Sequence, residues 1–306
     1  MLITLALLAV LIFALVITPL NLGLALAKSN LSLGVINPAE DEIPIGNNSE
    51  QQQQLYHAFI DYIASKLGKE IISKLVITDN ISAMTNLLTE QKIDLYAGSP
   101  FISALVNNNS RSVPFIAIWL KEPQYYSLIV TKKSSPLIYH IYDLNGGKTI
   151  GFTSPNSNIG YLLPKSFLIE KNIKFSPPSS PADVVYIFTG SENDTLSQVL
   201  SGSRDAGALS STFFNSLPNS TSSKLKIVAK TIAIPALLIS HRSGISPQLI
   251  DNISSIVRNM KLDQHAPEVL RSLNNSFVFD FNPTQLANNV TLMVKKAING
   301  TESSYT

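Results

Sequence analysis

The sequence predicts an α/β fold with two lobes of similar build, each containing a mostly parallel sheet covered by helices. Short apolar strands alternate with helical segments after the N-terminal region, an order that favours parallel sheets with helices on both faces. Of the 306 residues, the first 27 form an uncharged segment, so about 280 remain for two domains. A repeated strand-and-helix pattern, about 110 residues apart, is the third indication.

The first elements follow from hydrophobic periodicity. Residues 31–37 form a short apolar run and predict a strand. Apolar residues then recur at helical spacing over 55–67, and Gly68 stands at a C-cap position. Two further strands are predicted at 76–77 and 94–97. Each strand is followed by a predicted helix, the second of which opens with Gly98-Ser99-Pro100.

The repeat comprises residues 86–105 and 197–217. Each copy has a helix, a polar turn, an Asp that enters a short strand, and a serine loop before a small helix. Ligands of open α/β sheets collect beyond the carboxyl ends of strands, which is where Ser99 and Ser210 are expected. Both serines could instead simply cap helices. Asp94 and Asp205 occupy matching positions, which favours a structural role for Asp205 over a hydrogen bond to a ligand.

The N-terminal segment predicts export. Residues 2–20 are almost wholly apolar and 25–27 fit a cleavage site, so residues 1–27 are a signal peptide or an uncleaved membrane anchor. Ten Asn-x-Ser/Thr sequons indicate a glycosylated protein at the cell surface. They start at Asn30, Asn47, Asn80, Asn108, Asn193, Asn219, Asn252, Asn274, Asn289 and Asn299.

Composition argues against several function classes. The chain has no cysteine, and its four histidines are scattered without ligand spacing, so neither a metal site nor a cofactor is expected. Only 14% of residues are charged and the net charge is +2, whereas a nucleic-acid partner requires a concentrated basic face. No nucleophile–base motif is recognisable, and we therefore expect no enzymatic activity.

Residues 143–164 carry the strongest functional signal. They predict a strand (148–153), a polar loop (154–158) and a helix from about Ile159. Unpaired N–H groups and the positive end of the helix dipole at such a junction favour an anion. Lys148 and Lys165 flank the motif, and both are expected on solvated faces.

Several segments in order resemble one family. They are IDLYAGSP, the strand with Tyr125-Tyr126-Ser127, DLNGGKTIGF, PNSNIGYLLP, FTGSENDTLSQVLSGSRDAGAL and TIAIPALLIS. The chain resembles the phosphate/phosphonate-binding solute receptors of ABC transporters. The resemblance implies a type II periplasmic-binding-protein-like fold whose lobes are joined by hinge strands, near 126–131 and 230–239. Lobe 1 would be 31–128 plus 235–306, and lobe 2 would be 129–234.

The resemblance also implies a site in the cleft between the lobes. Relatives hold phosphonate oxygens with an S-T-S-G run, which corresponds here to Ser157, Asn158, Ile159 and Gly160. Because only one hydroxyl of that run is kept, another oxyanion or a larger organic ligand stays open. Position adds further candidates, each with a structural alternative as a sheet, hinge or surface residue. The predicted ligand-binding residues are Tyr96, Ser99, Tyr126, Ser157, Asn158, Gly160, Glu192, Asp205 and Ser210.

The expected function is therefore that of an extracytoplasmic, monomeric receptor. It would capture a small anionic ligand by hinge closure and deliver it to an ABC transporter permease, and it would contact the membrane itself only through an uncleaved N-terminal segment. The alternative is a structural or interaction glycoprotein that keeps the fold without a working pocket. A strand at 277–281 and a helix at 284–298 are expected to pack on lobe 1.

Overall fold

A computed structural model of the chain describes residues 30–37, 49–121, 124–135, 137–176 and 184–299. The predicted signal peptide or anchor lies outside the described residues, as does the sequon at Asn47. Within the described part, no helix is both long and apolar enough to cross a membrane.

The element order alternates strands and helices, as predicted. Up to residue 170 the elements are β1 (Asn30–Ile36), α1 (Ser49–Leu67), β2 (Ile72–Thr78), α2 (Ile81–Thr89), β3 (Leu95–Gly98), α3 (Pro100–Ser110), β4 (Val113–Leu120), β5 (Ser127–Lys132), a 3₁₀ turn (Ile141–Leu144), β6 (Thr149–Phe152), a π-helical turn (Asn158–Leu162) and α4 (Leu163–Glu170). After it come β7 (Phe175–Ser176), β8 (Val184–Phe188), α5 (Glu192–Ser201), β9 (Ala206–Ser210), α6 (Ser211–Ser216), α7 (Asn219–Ser222), β10 (Leu225–Lys230), β11 (Leu237–His241), α8 (Pro247–Asn259), α9 (Glu268–Ser276), β12 (Phe277–Asp280) and α10 (Thr284–Asn299).

The strands form two six-stranded sheets, so the predicted α/β class is confirmed. The first sheet has the order β12-β4-β11-β3-β1-β2 and the second has β10-β5-β9-β6-β8-β7. Strands β2, β1 and β3 are parallel in the first sheet, and β7, β8, β6 and β9 are parallel in the second. The parallel part of the first sheet is smaller than predicted. The reason is that β11, which follows β10 of the second sheet in the chain, lies between β3 and β4 and pairs antiparallel with both.

Two segments, 124–126 and 231–236, run side by side between the sheets. Thr231 N–H donates to the Ser127 carbonyl (3.0 Å), and Ile234 N–H donates to the Tyr125 carbonyl (2.8 Å). The hinge strands predicted at 126–131 and 230–239 overlap these segments, although 127–131 lies inside the second sheet as part of β5. Paired connections of this kind let two lobes rotate about one axis.

Helix α10 packs differently from our expectation for the C-terminal tail. Strand β12 does pair with β4 of the first sheet. Helix α10, however, contacts both α3 and α4, which flank different sheets. Its buried side chains Val290, Val294 and Ala297 belong to a cluster that also contains Phe101 of α3 and Leu168 of α4. The C-terminal helix therefore spans the two halves of the molecule.

The repeat predicted from sequence corresponds to a matching side-chain contact in each sheet. Asp94 Oδ2 accepts hydrogen bonds from the backbone N–H (3.0 Å) and hydroxyl (2.8 Å) of Ser32 on β1. Asp205 Oδ2 accepts the same pair of bonds from Thr149 on β6, at 2.8 and 2.9 Å. Each Asp precedes a strand and holds the start of its parallel neighbour. The two contacts therefore fix equivalent strand registers in the two sheets.

We expect Asp94→Ala and Asp205→Ala each to lower the free energy of unfolding by about 1–3 kcal/mol, because partly buried donors lose their acceptor. The loss should be larger for Asp94, since Arg242 Nε also donates to its Oδ1 (3.1 Å). Urea unfolding measures both changes, with the exposed Asp251→Ala as control. Wild-type unfolding midpoints in both variants would contradict the structural role.

Candidate functional site

The two sheets meet at the carboxyl ends of their parallel strands. Ser99 follows β3 of the first sheet, and Asn158 begins the π-helical turn that follows β6 of the second. Asn158 Nδ2 donates a hydrogen bond to Ser99 Oγ at 2.9 Å. The Asn158 and Ser99 residues are 0% and 1% exposed, respectively. Two residues that follow strands of different sheets are thus in direct contact.

The predicted anion loop has an internal hydrogen-bond arrangement of its own. Ser157 is the N-cap residue of the π-helical turn, and its Oγ accepts the N–H of Gly160 at 2.9 Å. The N–H of Leu162 donates to the Ser157 carbonyl (2.9 Å). The expectation that the Gly160 N–H points outward is therefore wrong in this closed arrangement, because the loop's own serine is its acceptor.

Gly160 is required by the close approach of Thr153. A Cβ atom at Gly160 would lie 1.9 Å from Thr153 Oγ1 and 2.8 Å from Ser157 Oγ. The backbones also pair here, since Thr153 N–H donates to the Gly160 carbonyl (3.2 Å). Only glycine therefore allows the loop to fold back onto the end of β6.

Ser210 and Glu192 form a separate pair on the second sheet. Glu192 accepts hydrogen bonds from the Ser210 N–H and from its hydroxyl, the latter at 3.2 Å. Ser210 Oγ also accepts the N–H of Phe213 at 3.0 Å and thereby caps α6. The capping interpretation thus holds for Ser210. By contrast, Ser99 makes no side-chain capping bond to α3, and its hydroxyl faces Asn158.

The two tyrosines and Asp205 have surroundings of their own. Tyr96 is fully buried in a cluster with Met84 and Ile102, as expected of a core side chain. The ring of Tyr126 is covered by the Lys230 ammonium, 3.8 Å from its centroid. Asp205 stands at the amino end of β9, the opposite end from Ser210, so it is removed from the candidate ligand set.

Sequence reasoning missed Thr153 and Ser127. Thr153 Oγ1 and Ser127 Oγ are buried and have no hydrogen-bond partner among the described residues. Thr153 lies against Gly160, and Ser127 pairs with Ser210 across β5 and β9. Both are hydroxyl residues at strand ends, Thr153 directly after β6 and Ser127 at the start of β5. Their positions, Thr153 as the last residue of a predicted strand and Ser127 directly after Tyr126, were the available signal.

Lys165 corrects another expectation, because it is buried rather than solvated. The residue is 1% exposed, and its Nζ donates to the hydroxyl of Tyr161 at 2.8 Å. The ammonium also lies 5.0 Å from the Tyr161 ring centroid and 5.6 Å from that of Tyr186. Burial without a carboxylate partner among the described residues lowers the pKa of Lys165 to about 8. Burial likewise raises the pKa of the Tyr161 hydroxyl.

Two helix-flanked sheets, paired connecting segments and a polar contact between strand ends define the class of type II periplasmic binding proteins. Among solved structures, XAC2383 from Xanthomonas citri bound to ATP has a TM-score of 0.70 at 20% identity, covering 89% of this chain and 99% of that one. PhnD1 from Prochlorococcus marinus in complex with methylphosphonate has a TM-score of 0.57 at 18% identity, with the same coverage. These similarities support the fold.

The family follows from sequence. Residues 44–285 match the family model described as "ABC transporter, phosphonate, periplasmic substrate-binding protein". The phosphate-import protein PhnD of Mycolicibacterium smegmatis is 23% identical over 230 residues, which cover 70% of this chain and 68% of that protein. The chain belongs to the phosphonate family of periplasmic substrate-binding proteins of ABC transporters. It is therefore a transport protein of the extracytoplasmic side and not an enzyme.

We expect Gly160→Ala to destabilise the protein by roughly 1–3 kcal/mol, because the added methyl overlaps Thr153. Adding Thr153→Ala should restore part of the loss by removing two of the colliding atoms. Gly68→Ala is the control, since a Cβ there meets nothing within 4 Å. Thermal or urea unfolding of the three variants measures the effect. A tolerated Gly160→Ala would show that the loop does not pack as described.

We expect Lys165→Met to stabilise the protein relative to wild type at pH 7. The folded-state pKa of Lys165, about 8, lies below its ordinary value of 10.5. The unfolded chain therefore binds more protons between these values, and wild-type stability rises with pH across that window. The advantage of the variant should shrink by at most about 3 kcal/mol between neutral pH and the ordinary lysine pKa. Urea unfolding at several pH values tests this, with the exposed Lys174→Met as control. A pH-independent difference would contradict it.

Proposed function

We propose that this chain captures a small oxyanion of the phosphonate or phosphate class in the cleft between its two sheets. Closure of the hinge would enclose the ligand, and the closed receptor would deliver it to an ABC importer. The observation that carries the proposal is the buried Asn158–Ser99 contact, which joins the carboxyl ends of the two sheets. The membership of the phosphonate family supports the ligand class.

The contacting groups have the chemistry that an oxyanion needs. Asn158 Nδ2 is a donor whose present acceptor, Ser99 Oγ, belongs to the other sheet. When the cleft opens, this bond breaks, and a ligand oxygen can take the place of the serine as acceptor. The freed Ser99 hydroxyl can then donate to a second oxygen of the same ligand. Thr153 Oγ1, beside Gly160, adds a third donor group. Neutral donors suffice to hold an anion when the fold preorganises them.

Four of the predicted residues enter the proposal with reduced roles. Ser210 and Glu192 satisfy each other, so they would shape the second lobe's wall rather than hold the anion. Tyr96 and Tyr126 would support the strands that carry the site. The proposed first contacts are accordingly the side chains of Ser99, Asn158 and Thr153, because the N–H groups of Ser157 and Gly160 are already bonded within the loop.

A second candidate function is a structural or interaction glycoprotein with a permanently closed cleft. The same hydrogen bond favours it, because Asn158 and Ser99 already satisfy each other without a ligand. Under this alternative the cleft never opens, and no small molecule stabilises the protein.

Ligand-dependent melting separates the two. Protein stripped of ligand is melted with phosphate, phosphite, methylphosphonate, alkylsulfonates and thiamine derivatives. A ligand at 100 times its dissociation constant adds roughly 2.7 kcal/mol to the free energy of unfolding. We expect such a shift with at least one phosphorus oxyanion. An unchanged melt with every compound would favour the structural alternative.

Asn158→Asp tests the site itself. The new carboxylate can still accept a hydrogen bond from Ser99, so the fold should be kept, but its charge repels an oxyanion. We expect affinity for the ligand found in the melts to fall at least about 100-fold by isothermal titration calorimetry, the scale of losing a charge-assisted bond and gaining a repulsion. Asn145→Asp makes the same change at an exposed position of the second half and should leave affinity unchanged. Equal affinities for the two variants would place the site elsewhere in the molecule.

A further inference from the structure

A cavity of about 300 Å³ lies between α3, the start of β4 and α10. It is separate from the Asn158–Ser99 contact, and no charged side chain is among its described lining residues. Apolar groups such as Ala104 and Leu238 line part of its wall. Its polar lining comes from Asn107, Asn108, Ser112, Thr284, Asn288 and Thr291. A concave site of this composition suits a neutral ligand that has both apolar faces and hydrogen-bonding groups.

One buried acceptor in the lining lacks a partner. Asn107 Nδ2 donates to Ser240 Oγ at 2.9 Å. Its Oδ1 is buried and accepts no hydrogen bond from the described residues. A buried polar atom in this state is unfavourable because it has lost its hydration without gaining a protein partner. The site therefore favours an occupant that carries an O–H or N–H donor.

The adjacent residue can carry such an occupant covalently. Asn108 lines the same cavity, has an exposed side chain, and is the first residue of the sequon Asn108-Asn109-Ser110. A sugar attached to its Nδ2 would begin at the edge of the cavity. Seven sequon asparagines have described side chains, and all seven are exposed. The other six, none of which lines this cavity, are Asn30, Asn80, Asn193, Asn219, Asn252 and Asn289.

We propose that the cavity between α3 and α10 binds the first sugar of an N-linked glycan on Asn108. A sugar ring is neutral and offers an apolar face together with hydroxyl donors, which matches the mixed, uncharged lining. Those donors would come close to Asn107, whose Oδ1 has no partner among the described residues. Because the sugar is tethered at the edge of the cavity, docking is intramolecular and needs little intrinsic affinity.

The fold also dictates when this modification occurs. Ser110, the third residue of the sequon, is buried, and its hydroxyl donates to the Val106 carbonyl at 2.7 Å. The complete sequon is therefore accessible only before α3 has folded. The glycan must be added while the chain is being exported, before α10 packs over the site.

A docked sugar would fasten α10 to α3. Helix α10 also packs on α4 of the other half, and the N-cap residue of α3 is Ser99. The sugar would thus stabilise the C-terminal helix in its position across the two halves. This role does not depend on which ligand the cleft binds.

The test uses the full chain, produced in a host that N-glycosylates exported proteins. Mass spectrometry of glycopeptides should find Asn108 modified. Asn108→Gln should lower the melting temperature by about 2–4 °C, the size expected when one hydrogen bond and some apolar packing are lost from a domain of this size. Asn193→Gln, which removes an exposed sequon on α5, is the matched control and should shift it by less than about 1 °C.

Two further measurements separate the sugar from the asparagine side chain. In a host without N-glycosylation, Asn108→Gln should leave the melting temperature unchanged. In the glycosylating host, filling the cavity with Ala287→Phe should leave Asn108 modified, and adding Asn108→Gln to that variant should then cause no further loss. The proposal is overturned if Asn108 is unmodified in that host, or if Asn108→Gln and Asn193→Gln have equal effects.

Discussion

The hydrogen bond between Asn158 and Ser99 is a buried polar contact that joins the loops at the carboxyl ends of the two sheets. It joins uncharged side chains that are both buried, so neither can lose the other without an alternative partner. Breaking it without replacement would remove this bond from two buried groups in a low-dielectric interior, at a cost of about 1–3 kcal/mol. States in which the cleft is partly open but still dry are therefore unfavourable. If the cleft opens as proposed, its favoured states are therefore the closed contact, an opening filled by water, and closure on a ligand that offers the same bonds.

Internal repetition explains why this contact lies where it does. The Asp–hydroxyl contacts at Asp94 and Asp205 fix β1 against β3 and β6 against β9 in the same register. Equal registers bring equivalent loops to the carboxyl end of each sheet, with Ser99 in one and Ser210 in the other. The two serines have nevertheless diverged. Ser210 caps α6 and donates to Glu192. Ser99 makes no side-chain capping bond, and its hydroxyl accepts a hydrogen bond from Asn158 of the other half.

Local pattern was sufficient to predict the first strands and helices, the strand before the anion loop and the repeat, because apolar spacing and the position of an Asp before a strand are properties of short segments. It also favoured a structural role for Asp205 over a ligand role, through its match with Asp94. The burial of Lys165 could not be predicted in this way. A lysine next to Pro164 and Ser166 looks solvated until Tyr161 and Tyr186, 25 residues apart in sequence, supply the surface that covers it. The packing of α10 could not be predicted from local pattern either, because its buried side chains contact α3 of one half and α4 of the other.

The electrostatic character of the cleft follows from these placements. The side chains that meet there are amide and hydroxyl groups. The carboxylate of Glu192, another predicted ligand residue, accepts hydrogen bonds from Ser210 instead. The buried Lys165 ammonium lies one helical turn beyond Tyr161, within the interior of the second half. If the cleft receives an oxyanion as proposed, the anion is held by fixed dipoles rather than by an exposed counter-charge. Buried dipoles are poorly screened by salt. Selectivity would then depend on the distances between donors, and a displacement of one hydroxyl would matter more than a change in ionic strength.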